Sequence, residues 1–135
     1  MKILGIDYGT RYIGLSIADE QIKIAYPYLV LKNKGRKFVL KELKKIIEKE
    51  RIKKIIIGRP IGLSGKSTEQ TKITDEFINF LKNNLSISVD GFDERFTSKM
   101  AIDQRKSAKA SQASLDEHSG AAAIILQGYL EKQEI

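Results

Sequence analysis

The chain has 135 residues, 41% of them hydrophobic and 30% charged, enough for one domain with a real core, expected to span residues 1–135. It has no cysteine, which excludes a disulfide framework and a thiolate metal site, and no run near the ~18 apolar residues of a membrane helix. The N-terminus lacks a signal-peptide pattern, so a cytoplasmic chain with no membrane partner is expected, and the net charge of +7 points to an anionic partner, nucleic acid first.

Residues 2–19 predict two strands joined by a tight turn. Ile3, Leu4 and Ile6 form one apolar run, Gly9 and Thr10 the turn, and residues 13–18 the second run. Asp7 closes the first run. A carboxylate there is costly unless it is solvated, paired, bound to a metal or used to cap its own turn. Strand ends are also where α/β folds place their sites. Residues 22–30 read as a third strand in a hairpin with the second, and Pro27 marks it as a sheet edge.

Val39, Leu43, Ile46 and Ile47 recur at helical spacing and predict a helix over residues 36–50. Residues 53–57 then read as a short buried strand ending at Gly58, with a parallel, central place in the sheet. The charge is concentrated here. Residues 32–54 hold eleven basic and three acidic residues, a net +8, so the rest of the chain sums to about −1. Either this is a solvated lysine face or it contacts backbone phosphates.

Residues 58–67, GRPIGLSGKS, end like a phosphate-binding P-loop, but Pro60 stands where that motif needs glycine. The expectation is a loop that approaches substrate, with Arg59 or Lys66 reaching phosphate. Residues 68–83 predict a second helix with Ile73, Phe77, Ile78 and Leu81 inward, and residues 87–92 a strand. Asp93, Glu94 and Arg95 follow. Thr97 is a plausible N-cap for a helix to about residue 105, and residues 105–113 read as a mobile loop made basic by Arg105, Lys106 and Lys109. Residues 115–132 form the last helix, with Ala121, Ala122, Ile125, Leu126, Tyr129 and Leu130 as its stripe.

The order is β-β-β-α-β-α-β-α-α. Three antiparallel strands come first, and the strands joined through helices should lie parallel. Asp7 and the pair Asp93 and Glu94 then share one sheet edge. The bland explanation of the second site is a local acid–arginine pair with helix capping. The alternative is that the repelling carboxylates hold divalent ions, for which hard oxygen donors favour Mg²⁺ or Mn²⁺ over zinc. Two such ions can clamp the attacking and leaving oxygens of a phosphodiester. A third ligand should come from the last helix. There Ser114 and Glu117 fit a capping box. His118 is in phase with Ala122, Ile125 and Tyr129, whereas Asp116 lies about 200° away around the helix. Phase favours His118, though a lone histidine on an apolar face is often only a satisfied core residue.

With these residues in place, the chain resembles the YqgF/RuvX family of candidate Holliday-junction resolvases or pre-16S rRNA nucleases. The likeness covers nearly the whole length. It rests on GIDYGT at residues 5–10 with Ile13 and Gly14, on Gly58 and Pro60 with Gly65, on DERFT at residues 93–97, and on AAAIILQGYL at residues 121–130. The resemblance implies an α/β, RNase H-like fold related to RuvC, with a five-stranded mixed sheet flanked by helices. It also implies metal-dependent phosphodiester hydrolysis through Asp7, the acids of the DER triplet and a C-terminal acid. The position where the family usually carries that aspartate falls on His118, with Asp116 two residues before it.

The reading is a Mg²⁺- or Mn²⁺-dependent nuclease acting on structured RNA or branched DNA, as a monomer or homodimer. Asp7, Glu94 or Asp93, and His118 or Asp116 would hold the metals. Thr10, Arg59, Lys66, Arg95, Arg105, Lys106 and Lys109 would contact phosphates. One rival is a non-catalytic nucleic-acid-binding module on a decayed site. Another is an ATP-dependent phosphotransferase of the actin and sugar-kinase type, which opens with a similar Asp-x-Gly-Thr hairpin but needs two such lobes.

Overall fold

The structure, a computed structural model, describes residues 1–62, 64–97 and 114–133, with the backbone alone for residues 114–116. In chain order it contains β1 (Lys2–Asp7), β2 (Tyr12–Asp19), β3 (Ala25–Lys32), α1 (Arg36–Glu50), β4 (Ile52–Arg59), α2 (Glu69–Asn84), β5 (Ser88–Asp93), a 3₁₀ turn (Glu94–Phe96) and α3 (Ser114–Lys132). The five strands form one mixed sheet in the order β3-β2-β1-β4-β5. β1 pairs antiparallel with β2 and β2 with β3, while β4 runs parallel to both β1 and β5. This is the mixed sheet expected from the element order, with β4 interposed between the two acidic strand ends.

Helices cover both faces. On one, Val39, Leu43 and Ile46 of α1 and Phe77, Ile78 and Leu81 of α2 pack on Leu4, Ile6, Ile55 and Ile57. On the other, Ile125, Leu126 and Leu130 of α3 pack on Ile3, Ala18, Ile56 and Phe92. Double coverage explains why β4 carries an unbroken Ile55, Ile56, Ile57 run rather than alternation. Each such fully buried side chain contributes about 1.5–3 kcal/mol relative to exposure. α3 lies close because the strands beneath it lack side chains where it crosses. A Cβ on Gly14 would sit 1.9 Å from the His118 carbonyl oxygen. Deeper in the layer, the buried Ser16 hydroxyl donates to the Ala122 carbonyl at 2.8 Å.

β3 starts later than the pattern predicts. Lys23 adopts a left-handed conformation with φ 61°, and its N–H donates to the Asp19 carbonyl at 3.0 Å, so the chain is still turning at residues 22–24. Pro27 is tolerated because β3 is the edge strand, and the register slips opposite it. α2 begins as a reciprocal cap: Thr68 accepts from the Thr71 N–H, and Thr71 Oγ1 accepts from the Thr68 N–H. Buried Thr71 and Thr74 complete its inner face, with Ile73 only half-buried. The predicted helix after Thr97 and the basic loop at residues 105–113 lie outside the described residues. Thr97 itself closes the 3₁₀ turn, its N–H donating to the Glu94 carbonyl at 3.2 Å.

Candidate functional site

Strand parity aims the first carboxylate. Tyr8 packs on the α1/α2 face, its ring stacked on Phe77 at 4.0 Å between centroids. Ile3, two pleats before Gly5 and four residues before Asp7, belongs to the α3 face, so Asp7 points to the α3 side at the carboxyl end of β1. It lines an open cavity of about 570 Å³ at that sheet edge. The wall is built from Asp7 through Tyr12, with Gly58, Pro60, Gln70, Glu94 and His118.

Glu94 reaches the cavity from the first residue of the 3₁₀ turn after β5. It lies over Gly58 at the end of β4, where an added Cβ would be 3.2 Å from Glu94 Cγ and 2.5 Å from Ile125 Cδ1. The bare backbone at Gly58 therefore leaves room between the two acidic strand ends. Asp93, by contrast, is turned into its own turn. It accepts from the Arg95 backbone N–H at 2.9 Å and from the Arg95 guanidinium at 2.6 and 2.9 Å. That guanidinium holds the Asp93 carboxyl below the usual range. The DER triplet thus divides. Asp93 and Arg95 form the local acid–arginine pair, and Glu94 faces the cavity.

His118 also lines the cavity, half-buried, with its ring 5.3 Å from that of Tyr12. The side chain of Asp116 lies outside the described residues. Among the described residues, no three histidine, aspartate or glutamate side chains gather into a preformed metal cluster. Two carboxylates on one cavity still suit Mg²⁺ or Mn²⁺, because Mg²⁺ binds through one or two carboxylates and completes its shell with water and substrate phosphate.

The expected phosphate contacts separate. Thr10 lines the cavity. Arg59 is bound in two-pronged fashion by Asp75, at 2.7 and 2.9 Å, which raises its already high pKa. Arg95 is occupied by Asp93. Lys66 sits exposed on the loop outside the cavity, its carbonyl accepting from the Gly62 N–H at 3.0 Å. Arg105, Lys106 and Lys109 lie outside the described residues. The loop's proline has a structural use: the Pro60 carbonyl accepts from the Thr71 hydroxyl and pins the loop to α2.

Arg11, Tyr12 and Gln70 line the cavity without having been singled out in the sequence. The signal for Arg11 was its place beside Thr10 at the turn. Gln70 carried none, since its position depends on how the α2 cap docks. Asn33 was also missed. Its side-chain amide donates to the Gly9 carbonyl at 2.9 Å, and its backbone N–H to the Arg11 carbonyl at 2.9 Å, so it fixes the turn that carries Thr10 and Arg11.

The model of the RuvX family, described as Holliday junction resolvase, matches residues 1–132. The chain belongs to the RuvX family. A relative from Maridesulfovibrio salexigens, named as a candidate pre-16S rRNA nuclease, is 36% identical over 98% of this chain and 99% of its own length. Among solved structures, T. thermophilus RuvC in complex with a Holliday junction substrate superposes with a TM-score of 0.59 at 13% identity, covering 99% of this chain and 96% of that one. The fowlpox virus resolvase with Holliday junction DNA gives a TM-score of 0.57 at 14% identity, over 98% and 99% of the two chains. The fold of this RuvX family chain is therefore the RNase H-like fold of the RuvC-type resolvases. The family name and the relative named above support a hydrolase acting on nucleic acid.

Proposed function

We propose that this chain is a Mg²⁺- or Mn²⁺-dependent endonuclease that hydrolyses phosphodiester bonds in structured nucleic acid, precursor ribosomal RNA or a branched DNA junction. The observation that supports it most is the pairing of Asp7 and Glu94 on one cavity, across the bare backbone of Gly58, in a chain of the RuvX family. Asp7 and Glu94 would hold the ion, with His118 or Asp116 as the further ligand from α3. When bound, such an ion polarises a phosphoryl oxygen and lowers the pKa of an attacking water. Thr10 and Arg11 stand on the same wall, where a hydroxyl and a guanidinium would orient the phosphate. The Tyr12 ring packs beside that of His118, and would steady the imidazole as a ligand at the cavity. The nuclease family assignment favours this reading over the phosphotransferase.

The test is cleavage of a four-way DNA junction and a precursor 16S rRNA fragment with Mg²⁺ or Mn²⁺, comparing the wild type with Asp7→Asn. The variant should fold and bind like the wild type, and its cleavage should fall by ~10²–10³-fold, the loss typical when a charge-stabilising group is removed from an active site. Wild-type cleavage rates in a clean preparation of Asp7→Asn would refute the site. Binding without cleavage by the wild type on both substrates would favour the non-catalytic module.

A further inference from the structure

The cavity does not use most of the positive charge. The net +8 of residues 32–54 is carried by the end of β3, α1 and the start of β4, and α1 packs on the sheet face opposite α3. Along the outer side of α1, Lys37, Lys41, Lys44 and Lys45 line a shallow groove of about 400 Å³ with Leu40 and Glu48. Lys37 to Lys45 is eight residues, a rise of about 12 Å. The acids of this region offset the row only in part, with Glu48 on the groove itself. Glu50 is taken by Lys2 and Tyr28, and Glu42 by Lys45. Among the described residues, no ion pair engages Lys37, Lys41 or Lys44. The groove therefore keeps a net positive charge even with Glu42 and Glu48 beside it, and like charges a turn apart cost folding energy that a bound anion would relieve.

The row is also continuous with the candidate active site. Asn33 is hydrogen-bonded to the Gly9 and Arg11 carbonyls, and α1 starts three residues later. Lys37 is therefore within about 14 Å of chain from the turn that bears Thr10 and Arg11. The chemistry of the groove narrows the ligand. It contains no aromatic ring, so it offers no stacking platform for unpaired bases. Its one apolar residue, Leu40, is half-buried, which leaves nothing to insert into a lipid surface. Flexible, strongly hydrated lysines at roughly regular rise suit a repeating phosphate backbone, which presents one charge per about 1.7 Å of duplex axis.

We propose that the outer face of α1 is a second nucleic-acid contact, which seats the sugar–phosphate backbone of a double-stranded arm leading out of the Asp7 and Glu94 cavity. It rests on the nuclease reading and adds where the substrate's flanking duplex runs. Lys37, Lys41 and Lys44 take phosphates and read no sequence. The chemistry is shared by a DNA arm and an RNA helix, so both serve as probes.

The experiment measures binding of a DNA four-way junction and of an RNA hairpin duplex from 0.05 to 0.3 M salt, in an Asp7→Asn background that keeps the substrate intact. Lys41→Gln/Lys44→Gln is compared with Lys23→Gln/Lys82→Gln, which removes the same charge elsewhere. Losing two phosphate contacts should flatten the salt slope by about 1.8 on B-form DNA and weaken binding tens-fold at 0.1 M. A flattened slope on the junction supports a DNA arm, and one on the hairpin an RNA arm. The control pair should lose only a few-fold with its slope unchanged. Equal slopes for the two double variants on both probes overturn the α1 contact and leave the cavity reading standing. If the parent protein binds neither probe with any salt dependence, both proposals fail together.

Discussion

Gly14→Ala tests how the candidate site is built. A Cβ at Gly14 would lie 1.9 Å from the His118 carbonyl oxygen, 2.3 Å from its carbon and 3.0 Å from the Ser119 nitrogen. Ordinary contact begins near 3.4 Å, so the start of α3 must move away by about 1.5 Å. All three obstacles are backbone atoms and none can rotate aside. Overpacking in a tight core typically costs 1–3 kcal/mol, and a rigid obstacle places this change at about 3 kcal/mol. The same shift carries His118 away from Asp7, and a misplacement of about 1 Å can lower a rate by about 10²-fold. Urea unfolding gives the stability and a cleavage assay at a temperature where the variant remains folded gives the rate. Gly120→Ala on the same helix is the control. Nothing lies within 4 Å of that Cβ, so the change should raise stability by up to about 1 kcal/mol through helix propensity and leave cleavage intact. If Gly14→Ala is within 0.5 kcal/mol of wild type and cleaves at full rate, α3 does not seat on β2 as described, and the placement of His118 falls with it.

Two further outcomes follow from side-chain geometry. Glu94→Gln should reduce cleavage by at least ~10²-fold, whereas Asp93→Asn should lower it far less while freeing Arg95; equal losses in the two variants would contradict the division of the DER triplet. Glu50 accepts from Lys2 Nζ at 3.1 Å and Tyr28 Oη at 3.0 Å, and these bonds hold its carboxyl below the usual range. A lowered folded-state pKa contributes stability above the unfolded-state value and loses it as pH falls through the folded one. Glu50→Gln should therefore flatten the acid limb of a stability–pH curve below about pH 4.5, with a loss of no more than about 1 kcal/mol at neutral pH. A wild-type acid limb in the variant would show that the pair contributes nothing.

The fold was legible because its signals are local and agree with one another. The helical stripe Val39, Leu43, Ile46 predicts α1 with its bounds as found, and the three consecutive isoleucines at 55–57 mark a strand buried on both faces. Where a boundary slipped, one backbone angle decided it. Ile22 and Ile24 look like strand residues, but the left-handed turn at Lys23 leaves them exposed at 63% and 47%, outside the ladder. The α2 stripe missed Thr71 and Thr74 because a buried threonine looks polar until its hydroxyl is seen bonded. The Thr74 hydroxyl donates to the Gln70 carbonyl at 2.9 Å.

The site was legible in its inventory and less so in its aim. Strand parity alone sends Asp7 to the α3 side, since Tyr8 must follow Phe77 to the other face. Parity gives no such answer for Asp93 and Glu94, because β5 ends between them and the 3₁₀ turn breaks the alternation. Arg95 settles it: its guanidinium captures the nearer carboxylate, which caps the turn, and the next residue is thrown over Gly58 into the cavity. The arginine that looked like a phosphate ligand thus acts first as a positioning group. The same holds for Arg59, which Asp75 ties down one residue beyond Gly58. Two of the cations nearest the acids are spent on holding the strand ends in place. The positive charge offered to a polyanion then lies at Arg11, on the cavity wall itself, and in the lysine row on α1. Under the proposals above, the substrate would meet a cation beside the acids at Arg11 and a second set along α1, on the other face of the sheet.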